Sequence, residues 1–135
     1  VMYERVLEAA HGVPDLHIIT GLTDLVGPFQ SQSKVILQKS LREGFGLTAT
    51  EALWKGTPVV AGNVGGLRLQ VSNDVGGYLV DSVEQCVEKV NYLLNHEKER
   101  VALGASGRER VRTQFLLPRL LLDELKLMNG LLNSD

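Results

Sequence analysis

Two short apolar runs constrain the fold of this chain more than any other feature. Val35 to Gln38 and Pro58 to Ala61 are rich in Val and Ile and show no regular alternation of polar and apolar side chains. A strand of this kind needs apolar cover on both faces, which a parallel sheet between two layers of helices provides. Segments with helical spacing separate the runs, so the sequence predicts an α/β architecture built from βαβ units.

The rest of the chain follows the same pattern. We predict a Rossmann-like, doubly wound parallel sheet of about four strands, with helices on both faces and a helical C-terminal third. Asp81 and Ser82 are predicted to cap the helix that follows them. The predicted strands are 16–20, 35–38, 58–61 and 77–80, and the predicted helices are 3–10, 28–33, 45–55, 65–71, 83–95 and 97–115.

Composition excludes several classes of protein. The 135 residues suffice for one domain, and 44% hydrophobic content with 22% charge is typical of a soluble globular protein. A net charge of -2 without a basic stripe argues against nucleic acid as a partner. The single Cys86 forms no internal disulfide, which favours a cytoplasmic location, and no apolar run is long enough to predict a membrane span.

Metal ligands and chain boundaries give two further expectations. The three histidines, His11, His17 and His96, are scattered without ligand spacing, so no metal site is predicted. The chain opens with Val1-Met2-Tyr3-Glu4 and enters helical periodicity at once. We therefore expect a piece of a longer protein.

The loop after the strand Val35 to Gln38 is the candidate binding site. Glycines let the backbone approach a ligand closely, and a helix beginning near Phe45 would direct its unpaired N–H groups and positive dipole end out of the turn. Such a terminus suits phosphate oxygens. The candidate binding residues are Gly44, Phe45, Gly46, Leu47, Thr48 and Glu51.

Two glutamates flank this site. Glu51 follows on the same helix, where its carboxylate suits the two adjacent hydroxyls of a ribose. Glu43 precedes the turn, where it could accept a hydrogen bond from the transferred group or stabilise an oxocarbenium-like transition state. Glu43 is therefore the candidate catalytic residue. A diphosphate site should also contain Lys or Arg, for which the sequence offers no convincing candidate.

These residues also allow two other interpretations. A pair of Glu eight positions apart also arises by chance, with Glu51 as an exposed helix residue and the glycines as a plain strand-to-helix turn. Gly44 to Ala49 also fits the dinucleotide fingerprint G-x-G-x-x-A. That fingerprint requires a tight strand-to-glycine turn and an acid at the end of the next strand, whereas five residues intervene here and Val60 to Asn63 contains no acid.

With these motifs, the chain resembles glycosyltransferase family 4, a group of retaining enzymes with the two-domain GT-B fold. The hallmark of that family is Glu, seven residues and Glu, with Gly-Phe-Gly just after the first, and Glu43 to Glu51 reproduce it. Within the family the chain is most similar to the trehalose-forming synthases and phosphorylases. Further family motifs are Gly56 to Ala61, Val64 to Gly66 and Gly77 to Val80, and the trehalose-type segments are Thr50 to Gly56 and Gly65 to Gln70.

The resemblance implies a specific reaction. It implies retaining transfer of a hexosyl group, glucose in the trehalose-forming members, from UDP- or ADP-glucose to a sugar acceptor, with no metal or other cofactor. Glu51 would bind the ribose, the amides around Gly46, Leu47 and Thr48 the diphosphate, and Glu43 the donor sugar near its reacting carbon.

The resemblance also places residues 1–135 in the C-terminal, donor-binding half of a GT-B fold. The N-terminal acceptor domain and the first strands of that half are missing from it, and in the family those strands carry the Arg and Lys over the diphosphate. The piece alone is therefore expected to be inactive. A non-catalytic nucleotide-sugar-binding or assembly module is the alternative, and a nicotinamide-binding domain is a weaker one.

The run Leu116 to Met128 is apolar around more of its circumference than a surface helix needs. We expect it to be covered. Packing on its own domain is the favoured interpretation, and contact with the missing N-terminal domain or with a second copy in a homodimer is the alternative.

Overall fold

Four strands form one sheet in which every pairing between strands is parallel. The computed structural model describes residues 2–133. The strands are β1 (Ile36–Gln38), β2 (Val59–Gly62), β3 (Ser72–Asn73) and β4 (Gly76–Val80), in the spatial order β1-β2-β4-β3. The predicted α/β parallel sheet is confirmed.

Helices account for most of the remaining described residues. Ser82 caps α5 as predicted, because its side chain accepts a hydrogen bond from the N–H of Gln85 at 3.2 Å. The α-helices are α1 (Met2–Ala10), α2 (Val26–Gln32), α3 (Leu47–Trp54), α4 (Leu67–Gln70), α5 (Val83–Asn95), α6 (Glu97–Gln114) and α7 (Leu117–Leu132).

Two apolar cores lie on opposite faces of the sheet, because successive side chains of a strand point to opposite sides. Val59 and Ala61 of β2 pack with α3, α4 and Val111 of α6. Val60, between them, packs with Leu93 of α5 and Leu103 of α6. All six side chains are buried. The helices therefore cover both faces, as expected for a doubly wound sheet.

The predicted strand Leu16–Thr20 is wrong, and one strand was not predicted. Residues 16–20 are irregular and run beside α1, with Leu16 and Ile19 about half exposed. A β-rich segment becomes a strand only when a neighbour completes its hydrogen bonds, and no described strand lies alongside this one. The additional strand is β3, which pairs beside Gly76 and Gly77 at the sheet edge.

Helices α1 and α7 contain no buried residue. Of the run Leu116–Met128, Leu116 packs against the core as expected, but the expectation that the rest of the run packs on its own domain is wrong among residues 2–133. Its side chains at Leu121, Leu125 and Met128 are all more than half exposed. Between residues 2 and 133, no helix is both long enough and apolar enough to cross a bilayer.

Candidate functional site

The site forms where the loop after β1 turns into helix α3. Gly46 is the N-cap of α3 and has φ 78° and ψ 60°, a left-handed conformation that favours glycine. The helix therefore begins at Leu47, two residues after the predicted start at Phe45. No side chain caps it, so the first amides of α3 point out of the turn with the positive end of the helix dipole. The turn therefore has the predicted geometry, an uncapped helix start with its N–H groups directed outward.

A second loop, after β2, lies directly against this turn. A Cβ on Gly65 would lie 1.8 Å from the carbonyl oxygen of Glu43, and one on Gly66 would lie 2.2 Å from that of Gly44. The Gly66 N–H donates to the Gly44 carbonyl at 3.0 Å. Only glycine fits at these two positions, so the Gly-Gly motif supports the backbone of the candidate site.

Gln70, at the end of α4, is a site residue that sequence reasoning missed. It is fully buried, and its Nε2 donates to the carbonyl oxygen of Phe45. Its Oε1 has no hydrogen-bond partner among the described residues and would lie 3.1 Å from a Cβ on Gly46. The available signal was a polar residue three positions after the apolar Leu67 and directly before the apolar Val71, at the end of a short predicted helix.

Glu43 is half-buried and held on one side. Its Oε2 accepts hydrogen bonds from Nε2 of Gln38 at 3.0 Å and from the hydroxyl of Ser40 at 3.2 Å. Gln38 is the last residue of β1, so the carboxylate lies at the carboxyl end of the sheet, where ligands bind in open α/β folds. Within residues 2–133, no hydrogen bond engages the other oxygen, Oε1.

Glu51 is exposed on α3, and its Oε2 accepts a hydrogen bond from Nε2 of Gln30 at 3.1 Å. Gln30 belongs to α2 and is 3% exposed. The same amide nitrogen lies 3.5 Å from the carbonyl oxygen of Thr48. Sequence reasoning missed Gln30, because nothing in the segment around it distinguishes this glutamine from Gln32.

The remaining predicted residues line the turn and the start of the helix. Gly44, Leu47 and Thr48 are exposed, and Gly46 is buried. The Phe45 ring meets the Phe115 ring edge to face with centroids 5.6 Å apart. Beside Thr48, an apolar cleft of about 300 Å³ opens between Ile19, Leu22, Val26, Phe29 and Ile36. The predicted residues therefore all lie in the turn after β1 and on helix α3.

The dinucleotide interpretation finds no support in this geometry. Eight residues separate the end of β1 at Gln38 from the start of α3 at Leu47, and β2 ends at Gly62 without an acid. Among residues 2–133, no three His, Cys, Asp or Glu side chains group in a way that could hold a metal ion.

Comparisons with known proteins agree with the fold and the motifs. The family model for glycosyl transferases group 1 matches residues 4–110. Trehalose synthase of Pyrococcus horikoshii is 40% identical over 135 residues, which cover 97% of this chain and 32% of that protein. Trehalose synthase of Rubrobacter xylanophilus is 42% identical over 132 residues, which cover 95% and 32%. The chain thus spans about a third of the length of these relatives.

Two solved structures share the fold. Sucrose-phosphate synthase of Thermosynechococcus elongatus aligns with a TM-score of 0.82 and 26% identity over 98% of this chain and 34% of that chain. Anabaena HepE, solved with UDP-glucose, aligns with a TM-score of 0.69 and 18% identity over 78% and 30%. The resemblance noted from the sequence is confirmed, and the chain belongs to the glycosyl transferases group 1 family.

Proposed function

We propose that this chain is the donor-binding part of a retaining glycosyltransferase that transfers glucose from a nucleoside-diphosphate sugar to a sugar acceptor, forming trehalose. The observation that carries the proposal is the uncapped start of α3 between two glutamates, each held through one carboxylate oxygen. The trehalose synthases at 40% and 42% identity support the product, and HepE, solved with UDP-glucose, supports the donor class.

Each part of the site has a proposed role. The amides of Gly46, Leu47 and Thr48 bind the diphosphate, because a helix start offers unpaired N–H donors and a positive dipole end. Glu51 accepts from the ribose hydroxyls through its open oxygen, and the apolar cleft beside Thr48 suits the adjoining nucleoside. Gly44 and Phe45 shape the turn.

Glu43 acts on the donor sugar near its reacting carbon. Gln38 and Ser40 hold its Oε2, so its carboxylate is fixed before the donor binds. A carboxylate in this place stabilises positive charge that develops on the sugar as the bond to the phosphate breaks. We propose that transfer needs no metal or cofactor, with the donor phosphate accepting the acceptor's proton.

The proposal includes parts beyond this chain. Cations over the diphosphate and an N-terminal acceptor domain would complete the site, and residues 1–135 alone would not catalyse transfer. The free thiol of Cys86 fits a reducing compartment, and we propose a cytoplasmic location.

A transfer assay tests the proposed reaction. The complete gene product is incubated with glucose and either UDP-glucose or ADP-glucose, and both trehalose and the released nucleoside diphosphate are measured. Transfer should produce the two in equal amounts. We expect trehalose from one of the two donors, formed about a hundredfold more slowly by Glu43→Ala at matched concentration. Donor binding without any transfer would contradict catalysis and would favour a non-catalytic nucleotide-sugar-binding module.

A further inference from the structure

Helix α2 buries a single residue against α3, and that residue is polar. Gln30 is 3% exposed, whereas Phe29 beside it is about half exposed. The backbone carbonyl of Gln30 accepts from the buried hydroxyl of Thr57 at 2.6 Å. A buried amide is costly unless it is hydrogen-bonded, so the partners of the Gln30 side chain determine what it does at this position.

Those partners fix the orientation of the amide. Nε2 of Gln30 donates to Oε2 of Glu51 at 3.1 Å, and Oε1 accepts from Nζ of Lys55 at 2.8 Å. An ionised carboxylate only accepts hydrogen bonds and an ammonium only donates them. Only one of the two amide orientations therefore satisfies both neighbours, which removes the usual ambiguity of a glutamine side chain.

The consequence for Glu51 is a restricted carboxylate. An exposed glutamate on a helix samples several rotamers, and ordering it on binding costs conformational entropy. Here Oε2 accepts a hydrogen bond from the buried side chain of Gln30, whose amide oxygen in turn accepts one from Lys55. Oε1 of Glu51 is therefore the oxygen open to a ligand. Glu51 is thus ordered before a ligand arrives.

We propose that Gln30 is a positioning residue that directs Glu51 toward the ribose hydroxyls of the nucleotide. This inference rests on the proposed function, and it assigns a role to a residue of α2 that lies outside the Glu43–Glu51 motif. Lys55 acts through Gln30 by holding its amide in the orientation that donates to Glu51.

The test compares a nucleotide with an analogue that lacks the ribose hydroxyls. Dissociation constants of the complete gene product are measured for UDP and ADP and for their 2′,3′-dideoxy forms. Gln30→Met keeps a side chain of similar length but removes both hydrogen bonds. We expect it to raise the Kd of the better-bound diphosphate about tenfold, as for loss of a hydrogen bond to a charged group, and to leave the Kd of its dideoxy form within about twofold.

Thr57→Val is the matched control. It removes the hydrogen bond to the Gln30 carbonyl without touching the side-chain amide. We expect it to lower thermal stability while the ratio of the two dissociation constants stays unchanged. If Gln30→Met does not fold, Lys55→Met, a change at an exposed position, takes its place. We expect it to raise the Kd of the ribose-containing diphosphate about threefold and to leave the Kd of its dideoxy form unchanged.

Two results would overturn the inference while the proposed function stands. One is an equal change of both dissociation constants in the Gln30 or Lys55 variant, which would indicate a merely structural role. The other is no change in either constant. Wild-type protein that binds neither diphosphate would overturn the proposed function and the positioning role together.

Discussion

At the residue scale, each of the two glutamates is held by a glutamine from a different element. Gln38 at the end of β1 donates to Glu43, and Gln30 on α2 donates to Glu51. Glu43 is half-buried beneath the turn, whereas Glu51 is exposed on the helix. The two acids are thus ordered independently, and their substitution should change different kinetic constants.

The first prediction concerns these two acids. In the complete gene product, Glu51→Ala should raise KM for the donor about tenfold, because a hydrogen bond made equally in the ground state and the transition state is lost. Glu43→Ala should lower kcat about a hundredfold, because its charge acts on the reacting sugar. Steady-state kinetics with varied donor separates the two effects. Equal or negligible effects of both changes would contradict these roles.

The second prediction concerns the Gly-Gly motif. Gly65→Ala should destabilise the fold by about 2–3 kcal/mol, because its Cβ would meet the Glu43 carbonyl oxygen, a backbone atom that cannot yield easily. Gly44→Ala is the matched control, because nothing lies within 4 Å of a Cβ at that position. Urea unfolding of both variants provides the measurement. Equal stability of the two would show that the loops do not pack as described.

At the element scale, strands that carry a continuous apolar run were predictable from sequence, and the two-residue strand β3 was not. β1, β2 and β4 lie within one residue of their predicted ranges, because continuous apolar runs leave a direct signal, although β1 lies at the edge of the described sheet with Leu37 54% exposed. β3 has only two residues and depends on pairing with β4, and Leu16–Thr20 lacks such a partner. Pairing is a tertiary property that a local pattern does not contain.

The same limit applies to the candidate site. The turn and both glutamates could be found from spacing, because glycines and acids at a helix start have a local physical meaning. Gln30 and Gln70 could not be assigned, because their roles depend on contacts with residues 21 and 25 positions away. The shift of the start of α3 from Phe45 to Leu47 follows from the left-handed Gly46, which sequence alone leaves ambiguous.

The third prediction concerns the cluster that joins β4, α5 and α6. The phenol of Tyr78 donates to Oε1 of Glu99 at 2.6 Å, and the phenol of Tyr92 donates to Oε2. Both hydrogen bonds lower the pKa of Glu99, and the bond from Tyr78 has the larger effect. Burial and then the bond to Glu99 raise the pKa of Tyr78, and the bond to Glu99 is the main cause of the raised pKa of Tyr92.

The sign of these shifts defines a pH window. A lowered Glu99 pKa stabilises the fold above the ordinary value of 4.5, and this stabilisation is lost as pH falls through the folded value. The raised tyrosine pKa values stabilise it below the ordinary value of 10, with loss as pH rises through the folded values. The difference in Tm between wild type and Glu99→Gln should therefore be greatest between these limits and should shrink as pH falls below 4.5.

Glu97→Gln is the control for that measurement, because it makes the same charge change on the same helix without contacting either tyrosine. Its difference in Tm from wild type should be small near neutral pH, since its ion pair with Arg100 is a surface i,i+3 pair. A Glu99→Gln difference that does not vary with pH would contradict the role given to the tyrosine bonds.

At the scale of the whole molecule, α1 and α7 present apolar side chains that the described residues do not cover. Tyr3 and Val6 on α1 and Leu121 and Leu125 on α7 are about half exposed. Monomeric soluble proteins rarely expose contiguous apolar surface of this kind. The chain also spans about a third of the length of its relatives, so surfaces of this kind are where further protein could pack.

The fourth prediction concerns self-association through α7. Leu121 and Leu125 are four positions apart and lie on one face of the helix. The 135-residue chain should associate at micromolar concentration in sedimentation velocity, and Leu121→Lys with Leu125→Lys should reduce this, because charge opposes apolar burial. Leu41→Lys in the loop after β1 is the control, since Leu41 is 85% exposed. Association unaffected by the α7 changes would show that another surface is responsible.

The start of α3 and Glu51 are proposed to bind a nucleotide sugar. Calorimetric titration of the complete gene product with UDP-glucose and ADP-glucose tests this proposal most directly, with Glu51→Ala and, as control, Glu88→Ala on α5, the helix on the opposite face of the sheet from α3. We expect saturable binding of one donor, about tenfold weaker in Glu51→Ala and unchanged in Glu88→Ala. Binding of neither donor by the wild-type protein, or equal binding by wild type and Glu51→Ala, would contradict it.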